Sequence, residues 1–275
     1  MNRLRAFFLL PSALVMSVLF FAPLVIVVAC SLLTRGAYGG FALPWTAESY
    51  RRVLDSLYVW IVWRSVWISA VSTLLCVVCG FPLALYISRA PRHKTLLLNL
   101  VMLPFWTSFL IRTYAWMFLL RDTGLINSTL ESLHVIRDPL PLLFNTGAVI
   151  LGLVYGYLPY MVLPLYAAME KLEPSLLDAA ADLGATPAAS VWRIVIPLSR
   201  PGIIAGCLLV FIPCVGSYLT PDLMGGGKTV MIGNLIQNQF STARDWPFGS
   251  GISFVLMALT LLVMRFIRKR GEDLL

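Results

Sequence analysis

Charge is what this sequence has least of. Only 12% of its 275 residues are Asp, Glu, Lys or Arg, about half the share of an average soluble domain. With 59% of residues hydrophobic and a mean hydropathy of +0.84, a water-soluble globule is excluded, and the polar stretches are too short to fold as a separate soluble domain. Histidine is nearly absent: His93 and His134 stand in loops without metal-ligand spacing. Cysteine is sparse too. Cys30, Cys76, Cys79, Cys207 and Cys214 all fall inside apolar runs, so neither a disulfide framework nor a metal cluster follows. Cys76 and Cys79 make a C-x-x-C, but in a lipid-spanning helix with no His or acid nearby they are small apolar filler. No nucleophile stands with a base, which leaves an intramembrane enzyme without its constellation. The membrane acids and inverted repeat typical of an ion-coupled secondary carrier are also missing.

What fills the chain instead is a series of apolar runs. Six of them, at about 6–33, 63–88, 95–120, 146–169, 201–218 and 248–267, suit membrane helices of about 20 residues. The first follows Arg3 and Arg5 and is longer than the apolar core of a cleaved signal peptide, about 7–15 residues. Within it, Val27-Val28-Ala29-Cys30 resembles a lipoprotein processing site, but a retained span is expected in a chain that crosses repeatedly. The segment from Thr34 to about Trp60 is polar enough to lie outside. Over Ala47–Val59 the helical spacing of Tyr50, Val53, Leu54 and Leu57 predicts one helix at the outer interface, with a belt of Trp60, Trp63 and Trp67 after it. Further outer loops are expected at about 121–145 and 220–246. Arg89, Arg92, His93 and Lys94 form a basic inner turn, and Arg268, Lys269 and Arg270 come after the last run.

Six crossings put both termini on one side. That topology places 12 of the 21 Lys and Arg inside, 8 outside and Arg112 within the membrane, the density expected of a positive-inside protein with cytosolic termini. The net charge of +8 is therefore a topology signal, not a nucleic-acid footprint. Arg112 is the one charge deep in an apolar run. It either snorkels to the outer surface or forms an ion pair inside the membrane, with a partner subunit as the source of the acid.

One polar stretch, 170–200, interrupts the apolar series: EKLEPSLLDAAADLGATPAASVWRIVIPLSR. It encodes two helices. Pro174 suits a first turn, Ser175 and Asp178 stand at capping-box spacing, and Leu176, Leu177, Ala179, Ala180 and Leu183 supply apolar positions. Gly184 stops that helix as a residue free to turn left-handed. Thr186-Pro187 reads as a cap and first-turn proline for the second helix, which Pro197 is expected to end.

Asp178-Ala179-Ala180, then Gly184 four residues on, then Ile194 and Ile196-Pro197, resembles the EAA loop of ATP-binding-cassette importer permeases, with Asp for Glu and Ile for Leu. The run Leu103 to Trp116, LPFWTSFLIRTYAW, is similar to the third span of spermidine/putrescine importer permeases. So are Asp222–Gly226, Met231–Asn234, Arg244–Gly249 and Pro201–Gly206, and the resemblance is to the first permease subunit of that system. It implies an all-α membrane protein of the MetI-like type I importer fold, a single permease domain over 1–275 with a cytosolic coupling loop at 170–200, in the bacterial inner membrane. It also implies a related second permease, two ATPase subunits and a periplasmic binding protein, with ATP and magnesium held by the ATPase. No cofactor or metal is expected on this chain: Gly225-Gly226-Gly227-Lys228-Thr229 ends like a phosphate loop, but Asp222 stands where the first glycine belongs.

On this reading Asp178, Ala179, Ala180, Gly184, Ala185, Ile194 and Pro197 meet the ATPase. Gly152-x-x-x-Gly156 and Gly202-x-x-x-Gly206 allow close helix approach, and Pro159, Pro164 and Pro213 break backbone bonding beside a moving pathway. Aromatic faces attract cations, so Trp106, Tyr114, Tyr155, Tyr160 and Tyr218 are candidates for the path of a polyamine, or of another amine or opine. The outer acids Asp122, Glu131, Asp138, Asp222 and Asp245 either receive the cation or pair with Arg121, Arg137 and Arg244.

Overall fold

The computed structural model describes residues 2–90 and 92–272. The side chains of 266–275 and of 1–9 lie outside the described residues, and with them the expected basic flanks Arg3, Arg5, Arg268, Lys269 and Arg270. The chain is mostly helical. Helix α1 (Asn2–Ser31) contains Pro11 and Pro23 without ending at either, and its apolar stretch is largely exposed until Ser31, which is buried and hydrogen-bonds the Tyr50 hydroxyl at 2.7 Å.

The first departure from a purely helical reading comes next. Strands β1 (Leu33–Arg35) and β2 (Phe41–Trp45) pair antiparallel, Arg35 opposite Phe41 and Thr34 opposite Ala42. The turn between them uses Gly39 and Gly40 at φ +94° and +75°, which only glycine adopts freely. The Thr34 hydroxyl ties the pair by donating to the Ala42 carbonyl at 2.8 Å.

The single interfacial helix expected over 47–59 is two elements. Helix α2 (Glu48–Val53) ends, and α3 (Ser56–Ser88) begins three residues later, seven residues ahead of the span's expected start. The reason is local: the Asp55 carbonyl accepts from the N–H of Tyr58 and Val59 at 3.0 and 3.1 Å, which closes a fresh first turn. The buried face of α3 is Ser65, Ile68, Ser69, Ser72, Thr73, Cys76, Gly80, Ala84 and Ile87. These recur every three or four residues and are mostly small, the composition that lets membrane helices pack backbone to backbone.

A continuous third span was expected over 95–120, and here the structure corrects the sequence reading. Helix α4 (Lys94–Met102), a 3₁₀ turn over Leu103–Trp106 and α5 (Phe109–Leu120) replace it, with a bend of 89° at the break. Pro104 cannot donate to the helical ladder. Thr107 and Ser108 are extended, with ψ of 150° and 137°, and the Thr107 hydroxyl donates to the Pro104 carbonyl at 2.8 Å.

The remaining elements, in order, are α6 (Leu125–Ser132), α7 (Thr146–Met169), α8 (Ser175–Asp182), α9 (Pro187–Ser190), a π-helical turn over Val191–Val195, α10 (Ile196–Leu198), α11 (Arg200–Val215), α12 (Leu219–Gly225), α13 (Ile232–Ser241) and α14 (Trp246–Glu272). Helix α7 starts where its cap predicts, the Asn145 side chain accepting from the Ala148 N–H. Four helices are each long and apolar enough to cross a membrane, and two bent pairs raise the number to six if each pair is one span.

Contacts divide the chain into two compact units. One is 1–61 with 235–261. Its polar centre is Asp245, which pairs with Arg52 at 2.9 Å and accepts from the Phe248 N–H at 3.2 Å. Arg52 also lies over the Phe248 ring at 4.1 Å. Asp245 is thus an internal group, and its cation is Arg52 in place of the anticipated Arg244. The other unit is 62–234 with 262–275. Its core centres on α7, whose Leu153, Met161, Val162 and Leu165 are fully buried. Gly202 and Gly206 set the approach of α11 to α7: a Cβ at Gly202 would stand 2.6 Å from the Pro164 carbonyl oxygen, and one at Gly206 2.6 Å from the Met161 sulfur. Gly152 and Gly156 instead receive Met224 of α12 and Phe109 of α5, so the two glycine pairs serve different neighbours.

Candidate functional site

Helix α8 is short and closed at its C-terminus by a Schellman motif. The Gly184 N–H donates to the Ala181 carbonyl at 2.8 Å and the Ala185 N–H to the Ala180 carbonyl at 2.9 Å, with Gly184 at φ +78° as that motif requires. The expected capping box does not form. Ser175 is already helical, its hydroxyl bonds the Glu173 carboxylate at 3.3 Å, and the Pro174 carbonyl opens the first turn instead. Asp178 sits exposed in that turn, where a negative charge complements the helix dipole.

The apolar residues of α8 point two ways. Leu177 packs on the core and Ala180 is buried. Leu176, Ala179 and Leu183 are exposed at i, i+3 and i+7, one stripe of a helix, and Leu183 is 89% exposed. The smallness of Ala180 therefore serves packing within the chain, whereas Ala179 belongs to the outer face. That two-sidedness is invisible to a reading that groups all five residues on one face.

After Gly184 the Thr186 hydroxyl caps α9, accepting from the Ala189 N–H at 3.3 Å, with Pro187 in the first turn as expected. Pro197 does not end this helix. The turn over Val191–Val195 widens to π spacing, the Ile196 N–H reaching the Val191 carbonyl, and α10 carries Pro197 on to Leu198. A widened turn relieves the clash between a proline ring and the carbonyl four residues back. The chain then bends by 69° into α11. Ile194 is half-buried, Val195 buried, and Trp192 71% exposed, a second large apolar side chain of this stretch left uncovered in the chain.

Two further features border the loop. Glu170, the C-cap of α7, forms an ion pair with Lys94 at the start of α4. The Lys94 ammonium, by its hydrogen bond, holds the Glu170 carboxyl below its ordinary value. Beside them lies a cleft of about 410 Å³ lined by Ser88, Arg89, Glu170, Pro174, Leu177 and Asp178. The basic turn was evident from the sequence; its acidic partner, 76 residues away, was not.

Around the break in the third apolar run, the rings of Phe105 and Tyr160 stand 4.9 Å apart, Tyr157 and Tyr160 6.0 Å, and Phe109 and Tyr157 6.2 Å. The Arg112 guanidinium faces Phe105 at 5.2 Å and Phe109 at 5.5 Å. Its Nε and Nη1 are buried without a hydrogen-bond partner in the chain. Tyr155 is not part of this group; it meets Trp116 at 5.4 Å. Trp106, Tyr114 and Tyr218 are exposed. The structure thus brings Tyr160 and Arg112 together and scatters the other pathway candidates. After α12, Gly226 and Gly227 take φ +54° and +75° to close that helix, a turn function that accounts for the glycine run.

Long apolar helices, two helix pairs joined across sharp bends, and a polar helical stretch with an exposed apolar stripe are the features of a multi-pass membrane protein. The chain belongs to the family of binding-protein-dependent transport system inner membrane components, which it matches over residues 4–270. It is 46% identical over 261 residues to the spermidine/putrescine transport system permease protein PotB of Escherichia coli K12, covering 92% of this chain and 94% of that one. It is 43% identical over 254 residues to PotB of Haemophilus influenzae, covering 92% and 88%. Among solved structures it resembles a crystal structure of a bacterial ABC transporter involved in the import of the acidic polysaccharide alginate, at TM-score 0.81 and 16% identity, over 99% of this chain and 96% of that one. The fold is that of MetI-like permeases, and the chain is a multi-pass inner-membrane protein.

Proposed function

We propose that this chain is the transmembrane subunit through which an ATP-driven importer carries polyamines across the bacterial inner membrane. It crosses six times, the third crossing being the broken one, and both termini are cytosolic. The observation that carries the reading is the outward apolar stripe of α8, Leu176, Ala179 and Leu183, on a helix closed by Gly184 between two spans. A contiguous apolar stripe facing water is a candidate contact surface, and a docking helix buries it against its partner. That partner is the ATPase, two copies of which bind ATP and magnesium; this chain supplies no catalytic group. A related second permease completes the membrane pair, and a periplasmic binding protein delivers the substrate. Identity to PotB over 92% of the chain supports spermidine and putrescine as the cargo. Of the aromatic candidates, Tyr160, in the ring cluster with Phe105 and Tyr157, offers an ammonium group a face, and the second permease supplies the carboxylate that Arg112 lacks.

The test is co-purification and uptake. Ala179→Glu and Leu183→Glu place a carboxylate on the stripe without touching the core. Each is expected to lose the ATPase from the purified complex and to abolish ATP-dependent spermidine uptake by proteoliposomes. Full uptake by both variants refutes the docking role. Uptake that tracks a proton gradient and ignores ATP refutes the importer.

A further inference from the structure

Among the described residues, the unit formed by 62–234 and 262–275 contains one ion pair, Lys94 with Glu170, and its position is mechanical. Glu170 is the C-cap of α7 and the root of the coupling loop. Lys94 is the first residue of α4, the helix that runs to the 89° break. The Lys94 ammonium is held twice by the end of α7, by the Glu170 carboxylate and by the Tyr166 ring, 5.4 Å from its centroid.

The same root lines the cleft of about 410 Å³, where Glu170 stands with Pro174, Leu177 and Asp178 and with Ser88 and Arg89 at the end of α3. The root is thus tied to α4 by a side-chain pair while open space lies beside it. On the far side of α4 stand the break at Leu103–Ser108 and the cluster of Phe105, Phe109, Tyr160 and Arg112. An ion pair suits this task because it holds direction without requiring continuous backbone.

We propose that Lys94 and Glu170 form a strut that passes motion of the coupling loop into α4 and so into the broken third span. The inference rests on the docking of α8 to an ATPase and goes beyond it, since the strut touches neither nucleotide nor substrate. Both residues are positioning residues. The pair is partly exposed, so its influence is modest and weakened by salt.

The experiment uses the whole complex in proteoliposomes and reads uptake and ATP hydrolysis separately. Lys94→Glu and Glu170→Lys are expected to keep the ATPase bound and hydrolysing while uptake per ATP falls about two- to five-fold, the range set by the strength of an exposed pair. The double exchange, Lys94→Glu with Glu170→Lys, restores most of the loss. Lys94→Gln gives a smaller deficit and serves if a reversal fails to assemble. Unchanged uptake per ATP in Lys94→Gln and both reversals, or a double exchange no better than either single, overturns the strut. Failure of the docking reading has a different signature: the ATPase would stay bound when Ala179 or Leu183 becomes Glu.

Discussion

Gly184 holds φ +78° with no heavy atom near the place where a Cβ would stand. The cost of replacing it is therefore conformational and not steric. A left-handed backbone costs an ordinary residue about 1–2 kcal/mol, and Asn bears it best. A β-branched side chain bears it worst. Gly184→Val is expected to loosen the closure of α8 and lower ATPase co-purification, whereas Gly184→Asn retains it. Equal recovery from the two variants would show that the left-handed turn is dispensable. This glycine was legible from sequence, because the end of a helix with Thr-Pro just beyond it leaves few alternatives. Pro197 was misread for the complementary reason: a π-helical turn admits a proline inside a helix, and nothing in residue order announces that turn.

At the scale of elements, the broken third span is the main structural correction. Composition over 95–120 gives no reason to doubt a straight helix, since its residues are as apolar as those of α7. Yet α7 carries Pro159 and Pro164 without breaking, and the third run breaks at Pro104. The difference lies three residues beyond the proline. Thr107 returns its hydroxyl to the Pro104 carbonyl, giving the backbone an alternative to the helical ladder. Pro104→Ala combined with Thr107→Leu is expected to favour a straighter span. Spin labels at positions 96 and 118 would then move apart toward about 33 Å, the length of 22 helical residues. An unchanged label distance would place the cause of the bend in neighbouring helices. The hairpin of β1 and β2 was missed on similar grounds: its strands are three and five residues long, too short for a period-two pattern to stand out from a polar loop.

Across the whole molecule, much of the apolar surface of the described residues is exposed. Most of the stretch Ala13–Ser31 of α1 is exposed, with Ser31 the buried residue at its end, Arg112 has two buried nitrogens without acceptors, and the outer stripe of α8 is open. On the proposed assembly, lipid or partner subunits cover these surfaces. A charge left unpaired in a membrane protein destabilises it, whereas the same charge met by a carboxylate contributes once assembled. Arg112→Leu is thus expected to raise the melting temperature of this chain purified alone and to lower that of the assembled permease pair. A shift of the same sign in both preparations would remove the partner carboxylate from the account.

Residue order by itself determined the membrane class, the long apolar helix at 146–169, the polar helical stretch after it and its glycine stop. Each of these depends on local quantities: apolar run length, charge density and the φ preference of a single residue. Tertiary structure alone decided that Ala180 faces inward while Ala179 faces out, that Asp245 belongs to Arg52, and that Lys94 meets Glu170. Those outcomes depend on which distant segments share a volume, and a pairing across 76 residues leaves no periodicity for a sequence to display.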